Sequence, residues 1–193
     1  MTPEHPPRAP WSRAIQPGIL VLLLLGASAS AQPLGQAFEG DWRFVGGRAE
    51  KRNVRAAIDG SVADMTVVLR GLARDRLLEG SRIPKRVSIE SNEREVAIRD
   101  GNRTRLASPP GRVTQTVSAT GDHIELLYEI RDDALVQYRT TSQGGRRTTY
   151  RVDAEGQRLL VEVLTSSHYL PSPVAYRLTY ERVGRVASRP PAN

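Results

Sequence analysis

Cysteine is absent from the sequence and histidine is scarce, and each scarcity excludes a class of function. Without cysteine the chain has no disulfide framework, no thiolate metal site, no thiol nucleophile and no lipidated cysteine. Only His5, His123 and His168 could supply imidazole, so a multi-histidine metal site is not expected. We therefore expect neither a metal nor another cofactor.

Long hydrophobic runs are also missing, apart from one short stretch near the start. Residues 18–26 are almost purely aliphatic, two arginines precede them, and the small residues 27–31 follow. A basic region, a short apolar core and an A-x-A site, in this order, predict a secretory signal that is cleaved after Ala31. The alternative is an uncleaved membrane anchor, but a spanning helix needs about 20 apolar residues. We expect an exported protein, periplasmic or extracellular.

Positive charge is in excess, with 28 Lys and Arg residues against 21 Asp and Glu residues. A nucleic-acid-binding protein usually clusters such charge beside aromatic stacking platforms. Here the arginines are spread along the chain and interleaved with acidic residues, so nucleic acid is not an expected partner. Attraction to an anionic lipid surface or to another part of the cell envelope stays open.

The remainder of the chain is expected to be one domain over residues 32–187, followed by a flexible polar tail over 188–193. A short alternating segment over 38–45 predicts the first strand. From Arg48 to about Gly80 the pattern is helical, with a short helix over about 49–58 and, after Gly60, a longer helix that Ser61 caps. The apolar residues of this longer helix recur every three to five positions: Val62, Met65, Leu69, Leu72 and Leu77.

Everything after Pro84 alternates between apolar and polar residues and is divided by turn-forming residues such as glycine, proline and aspartate. This pattern predicts nine further strands. Their expected bounds are 85–91, 94–99, 102–107, 112–119, 123–130, 134–142, 146–153, 157–166 and 173–182. Ten strands joined by short hairpins favour a mainly β fold, an up-and-down antiparallel barrel with a helical insertion after its first strand, because closure hides the strand edges.

This order of elements resembles the calycin superfamily, and within it the fatty-acid-binding proteins more than the lipocalins. The resemblance rests on Phe38, Gly40 and Trp42, which match a Phe-x-Gly-x-Trp opening, and on residues 178–182, Leu-Thr-Tyr-Glu-Arg, which look like the last strand. It implies a barrel of ten strands with two short helices after the first. It also implies that Arg182 packs on Trp42 in a cation–π contact, worth about 0.5–2 kcal/mol.

The same resemblance implies a ligand site, since the family commonly holds a fatty-acid carboxylate with two arginines and a tyrosine. Tyr180 matches the tyrosine, Arg151 could match one arginine, and the other arginine position holds Leu178. Alternation places Tyr150 on the inner face, which would turn Arg151 outward. Both orientations of Arg151 therefore remain open.

The leading hypothesis for function is non-catalytic binding of a small hydrophobic or amphipathic molecule inside the barrel. Tyr128, Tyr176 and Tyr180 lie on apolar strand faces, and with Arg151 they are the candidate ligand-binding residues, because pockets combine an apolar lining with a few polar groups. The alternative is a cell-envelope interaction protein with a filled barrel core. Arg139, which alternates with Leu135, favours a cavity, whereas the nearly all-aliphatic segment 159–164 favours a filled core.

Two further features allow more than one interpretation. Residues 62–78 form either a lid on the barrel mouth or a surface helix that touches a membrane. The Ser167-His168 pair suggests a hydrolase, but neighbouring residues on an extended segment point apart and no Gly-x-Ser-x-Gly turn is present. The sequence thus predicts a lid and no enzyme.

Overall fold

The computed structural model describes residues 34–92, 94–117, 121–131 and 133–183. The expected signal over 1–31 and the expected tail over 188–193 lie outside the described residues. A short 3-10 helix, Leu34–Ala37, precedes strand β1, Gly40–Phe44, and the helices α1, Gly47–Ser61, and α2, Val67–Gly80, follow it. The order of one strand and then two helices is the expected one.

Nine more strands complete a single antiparallel sheet, so the predicted fold class is confirmed. They are β2 (Arg86–Ser91), β3 (Val96–Asp100), β4 (Leu106–Ser108), β5 (Thr114–Val117), β6 (His123–Arg131), β7 (Ala134–Thr141), β8 (Gly144–Val152), β9 (Arg158–Ser167) and β10 (Val174–Arg182). Consecutive strands pair with each other, except that β4 and β5 do not, and β1 also pairs with β10. The layout that the resemblance to the fatty-acid-binding proteins implies is thus present.

The barrel is nearly closed rather than fully closed, because β4 and β5 stand at the two ends of the strand order and are not paired with each other. Side chains bridge this gap. The hydroxyls of Ser108 and Thr114 share a hydrogen bond of 2.6 Å. The hydroxyl of Tyr128 donates to the carbonyl of Leu106 at 2.8 Å, which links β6 to β4.

The helical insertion differs from the prediction in where its first helix ends. Helix α1 runs through Gly60 to Ser61 and is the longer of the two, 15 residues against 14. The Ser61 hydroxyl donates to the carbonyl of Ser172 in the loop before β10, so it does not cap α2. The residue at the N-cap position of α2 is Thr66.

The apolar face predicted for the second helix is also not a buried face. Val62 is buried in the turn after α1, but α2 has no buried residue, and Leu69 and Leu72 are exposed. Leu77 and Leu78, in its last turns, pack against the core. No helix within the described ranges is both long and apolar enough to cross a membrane.

The core lies between the sheet walls, where strands such as β6 and β10 alternate inward apolar residues with mostly polar outward ones. In β10, for example, Val174, Tyr176, Leu178 and Tyr180 are buried, whereas Ala175 and Arg177 are exposed. Helix α1 adds Val54 and Ile58 to the same cluster. Helix α1 therefore packs against the barrel core, which α2 contacts only through Leu77 and Leu78.

Candidate functional site

One level of the barrel interior is lined by Arg139, Arg146, Thr148 and Thr165, and we call it the polar level. In the strand register Arg139 of β7 lies opposite Arg146 of β8, and Arg146 lies opposite Thr165 of β9. Arg139 shares its strand face with Leu135 and Gln137, which are buried, so alternation turns its side chain inward. The two guanidinium groups thus enter the barrel side by side.

Arg146 connects the interior with the helices. One of its terminal nitrogens, Nη1, donates to the carbonyl of Gly80 at 3.0 Å, at the end of α2. The other, Nη2, donates to the hydroxyl of Tyr176 at 3.1 Å. Gly144, at the start of β8, allows this strand to approach β9 closely, because a Cβ at this position would lie 2.2 Å from the Ser166 carbonyl oxygen.

Four buried polar atoms around this level have no hydrogen-bond partner among the residues that the structure describes. They are the Nε atoms of Arg139 and Arg146 and the hydroxyl oxygens of Thr148 and Thr165. Neither arginine forms an ion pair within the part of the chain that the structure describes. Because buried polar groups are nearly always hydrogen-bonded, four such atoms on neighbouring strands mark a place suited to a polar ligand.

The electrostatics of the interior favour a negative charge there. Burial lowers the pKa of the Arg139 guanidinium, and the positive charge of Arg146 lowers it further, whereas Asp100 opposes the shift. Asp100 ends β3 on the same face as the buried Ile98 and Val96. An anion placed between the two arginines would relieve their mutual repulsion.

The buried tyrosines serve as neutral hydrogen-bonding groups. Burial raises the pKa of Tyr128, Tyr150 and Tyr180 well above the ordinary value of 10.0. Tyr128 donates to Leu106 and accepts a bond of 2.8 Å from the amide of Gln137. The Tyr180 hydroxyl donates to the Pro84 carbonyl at 3.3 Å. Of the three tyrosines predicted to bind a ligand, Tyr176 is the one whose hydroxyl accepts a hydrogen bond from the arginine pair, through Arg146.

Arg151 lies on the outer face of the barrel, which is the orientation that strand alternation favours. Its Nη1 donates to Glu162 at 2.9 Å, and Asp133 is 3.8 Å from its Nε. Tyr150 beside it is buried in the core. The structure therefore does not bring Arg151 together with Tyr128, Tyr176 and Tyr180.

The Trp42–Arg182 pair predicted from the sequence lies where the first and last strands meet. The guanidinium carbon of Arg182 is 4.1 Å from the centroid of the Trp42 ring, which is fully buried. The Trp42 Nε1 donates to the carbonyl of Phe38 at 3.0 Å. This contact belongs to the architecture of the barrel and not to the polar level.

Arg139 and Arg146 were not among the predicted site residues, although the sequence carries a signal for each. Arg139 alternates with Leu135, and Arg146 alternates with Tyr150 on the next strand. What the sequence could not show is that the register places these two arginines opposite each other. The resemblance drew attention to Arg151 instead.

No cluster suited to metal binding was found in the described residues, where no three His, Asp or Glu side chains group together. The Ser167 hydroxyl donates to the carbonyl of Gln143 at 2.8 Å, so it is engaged in the turn between β7 and β8.

No protein-family model matches the chain, and no curated protein matches its sequence. Solved structures with a similar arrangement include fatty-acid-binding protein 1 of Echinococcus granulosus, at 14% identity over 77% of this chain and 99% of that chain, with a TM-score of 0.47. The fatty acid binding protein of Schistosoma mansoni in complex with arachidonic acid matches at 11% identity over 79% of this chain and 100% of that chain, with a TM-score of 0.47. Lipid binding protein 8 of Caenorhabditis elegans, in its apo form, matches at 11% identity over 77% of this chain and 96% of that chain, with a TM-score of 0.49.

Proposed function

We propose that this protein binds a small amphipathic molecule inside the barrel and holds its anionic head group between Arg139 and Arg146. The observation that carries the proposal is the pair of inward arginines, each with an unpartnered Nε and no ion pair among the described residues, beside the unpartnered hydroxyls of Thr148 and Thr165. A carboxylate or a similar anion matches the planar fork of an arginine and accepts two bonds from it. The Tyr176 hydroxyl, already bonded to Arg146, extends the same set of groups.

The energetics also favour an anion at this position. Unpaired charges removed from water are costly, and a partner of opposite sign offsets part of that cost. Asp100 supplies one negative charge against the two arginines, so the interior keeps a net positive charge. A singly charged head group would balance it.

The walls beside the arginines suit the apolar part of such a ligand. Leu126, Val163 and Val174 are neighbours of the polar level and are all buried. Each methylene that leaves water contributes about 0.8 kcal/mol to binding. A lipid-like molecule thus combines the two interactions that this interior offers.

Export and the absence of catalysis are part of the same proposal. The pattern of residues 1–31 supports export. The raised pKa values of Tyr128, Tyr150 and Tyr180 support binding without catalysis, because these hydroxyls stay protonated near neutral pH and do not act as bases. A carrier or sensor in the cell envelope is the role we propose.

A specific observation favours the second candidate, a filled barrel with an interaction role. The inward residues Leu126, Leu135 and Tyr150 are at most 2% exposed, so side chains occupy much of the interior. In that case the outer surface of the barrel would contact a protein of the cell envelope or the membrane. The Arg139–Arg146 pair would then be a structural feature.

Native mass spectrometry of residues 32–193, purified from periplasm, separates the two candidates. A stoichiometric lipid-like adduct is expected, and solvent extraction identifies it. A clean apo mass after exposure to a periplasmic lipid extract would favour the filled barrel.

A titration with dodecanoate and with uncharged dodecanol then tests the head-group site. Dodecanoate is expected to bind about tenfold more tightly than dodecanol, as one charge-assisted hydrogen bond provides roughly 1.4 kcal/mol. Arg139→Gln and Arg146→Gln should remove that preference. Arg147→Gln is the matched control, because Arg147 is the next residue on β8 and is exposed. Equal affinity for the two probes in the wild-type protein would contradict the proposed site.

A further inference from the structure

A cavity of about 650 Å³ lies between the two helices, and none of the residues that line it belongs to the polar level of the barrel. Lys51 and Arg55 of α1 line it on one side. Arg74 of α2 and Arg82, two residues after α2, also line it. We call this cavity the lid cleft. Four basic residues and no acidic residue are among those that line it.

Three of these four charges are free to meet a ligand. Arg74 forms an ion pair of 2.7 Å with Asp59, which neutralises it. Lys51, Arg55 and Arg82 form no ion pair with any residue that the structure describes, and all three are exposed. The Lys51 ammonium lies over the ring of Phe44, 5.9 Å from its centroid, which keeps that side chain beside the cleft.

The floor of the lid cleft is apolar. Val54 is buried in the core cluster, and Leu78 and Ile83 pack against that cluster from outside. Ser81, which is only 6% exposed, adds a hydroxyl to the wall. An exposed cleft of this composition offers apolar contact below and positive charge at the rim.

We propose that the lid cleft is a second ligand site, which binds an anionic head group, such as a phosphate, attached to an apolar stem. Lys51, Arg55 and Arg82 hold the anion. The stem lies on Val54, Leu78 and Ile83. The lid cleft shares no residue with the polar level that holds Arg139 and Arg146, so this second proposal does not depend on the ligand proposed there.

Such a head group has two possible sources, a dissolved amphiphile or the surface of a lipid bilayer. The first turns of α2 bear on this choice, because Val67, Val68, Leu69 and Leu72 are all more than half exposed. These side chains would enter the interfacial region of a bilayer if the head group belonged to one. A monomeric amphiphile would leave them in water.

The experiment uses residues 32–193 labelled with ¹⁵N. It follows the chemical shifts of backbone amides on addition of dodecyl phosphate or of inorganic phosphate. Dodecyl phosphate is expected to shift the amides of residues 51–55 and 78–83, and inorganic phosphate to shift them only at much higher concentration. Arg55→Glu and Arg82→Glu should each weaken dodecyl phosphate binding about tenfold, because each reverses a charge at the rim. Leu78→Ser should weaken dodecyl phosphate binding and leave the response to inorganic phosphate unchanged.

Arg52→Glu is the matched control, since Arg52 is exposed on the same helix but does not line the cleft. The affinity of the Arg52→Glu variant for dodecyl phosphate should stay within about twofold of that of the wild type. An equal loss in Arg52→Glu and Arg55→Glu would overturn the proposal in favour of general attraction to a basic helix. Shifts confined to residues near Arg139 and Arg146 would also overturn it, and would leave the interior site standing.

Flotation with vesicles distinguishes the two sources. If the head group belongs to a bilayer, the wild-type protein should float with vesicles of equimolar phosphatidylcholine and phosphatidylglycerol. A smaller fraction of the Arg55→Glu variant should float with the same vesicles. Dodecyl phosphate binding without flotation would assign the cleft to a dissolved amphiphile. Failure of both probes would overturn the site.

Discussion

Arg182 lies over the ring of Trp42 and is also its register partner across β10 and β1. The same guanidinium group donates from Nε to the carbonyl of Gly156 at 2.7 Å and from Nη2 to the carbonyl of Ala37 at 2.9 Å. One side chain thus joins the first strand, the last strand, the turn between β8 and β9, and the segment that leads into the barrel. The two ends of the described chain are held together at this point.

Loss of either partner is expected to destabilise the barrel strongly. Trp42→Ala removes a fully buried ring and should lower the free energy of unfolding by about 3–5 kcal/mol. Arg182→Ala should lower it by about 2 kcal/mol, because the carbonyls of Gly156 and Ala37 lose their donor. Urea denaturation measures both. Arg43→Ala is the control, since Arg43 is exposed and its ion pair with Glu181 is 3.7 Å long, and it should cost less than about 0.5 kcal/mol. A wild-type midpoint for Arg182→Ala would contradict this role.

The hydroxyl of Tyr128 helps to bridge the gap between β4 and β5. Tyr128→Phe keeps the ring but leaves the Leu106 carbonyl without its donor and the Gln137 amide without its acceptor. We expect a loss of about 1–3 kcal/mol in unfolding free energy, since buried polar groups without partners are costly. Hydrogen exchange should increase most at residues 106–117, where no strand pairing closes the barrel. Uniform exchange across the sheet would indicate that the gap is held by other contacts.

The extent to which the sequence predicted the structure follows from the range of the interactions involved. Strand alternation is local, so Val174 to Tyr180 could be assigned to an inward face, and the turns between strands carried their own signals. The failure of β4 and β5 to pair is not local, because it depends on how far a barrel of this size closes. Likewise, Ser61 was expected to cap α2, but it bonds to Ser172, 111 residues away.

The candidate site was predictable only in part for the same reason. Tyr176 was predicted from alternation, and it does reach the polar level. The pairing of Arg139 with Arg146 depends on the register between β7 and β8, which the turn at residues 141–144 sets. A shift of that register by two residues would separate the arginines while every residue kept its face.

The interior arginines should contribute more to binding than to stability. Arg139→Met keeps an unbranched side chain to about the position of Nε and removes a guanidinium charge that forms no ion pair among the described residues and is close to Arg146. We expect the free energy of unfolding to change by less than about 1 kcal/mol or to increase, because the variant no longer carries the desolvation cost of a buried charge without an ion-pair partner. Binding of dodecanoate should decrease in the same variant. A loss of several kcal/mol in urea denaturation, with binding unchanged, would instead make Arg139 a structural residue.

The turn between β8 and β9 should lose stability in acid. The Asp153 carboxylate accepts the backbone N–H groups of Arg158 and Gln157 at 2.9 Å and 2.7 Å, and the bond from Arg158 contributes most to holding the pKa of Asp153 below its ordinary value of 3.8. Because the folded-state pKa is depressed, the contribution of Asp153 is fully present above that ordinary value and is lost as the pH falls through the folded-state pKa.

Asp153→Ala should therefore cost about 1 kcal/mol of unfolding free energy at neutral pH. The difference from the wild type should shrink at the lowest pH at which the protein still folds. Urea denaturation across a pH series measures this. Glu155→Ala, an exposed change in the same turn, should show no such pH dependence. A constant difference for Asp153→Ala at all pH values would exclude the carboxylate charge as the cause.

The two helices should differ in local stability, because α1 has buried residues and α2 is held to the barrel only near its end. The Glu50 carboxylate of α1 accepts the backbone N–H of Thr179 at 2.8 Å and its hydroxyl at 2.7 Å, whereas α2 has no buried residue. At its end, α2 is tied to the barrel through the bond from Arg146 to the Gly80 carbonyl. We therefore expect amides of α2 to exchange with solvent faster than those of α1 in hydrogen-exchange mass spectrometry. Arg146→Gln should accelerate exchange further in α2 and leave α1 unchanged, and Arg147→Gln should alter neither helix. Equal protection of both helices in the wild-type protein would show that contacts of Leu77 and Leu78 with the core are enough to hold α2 in place.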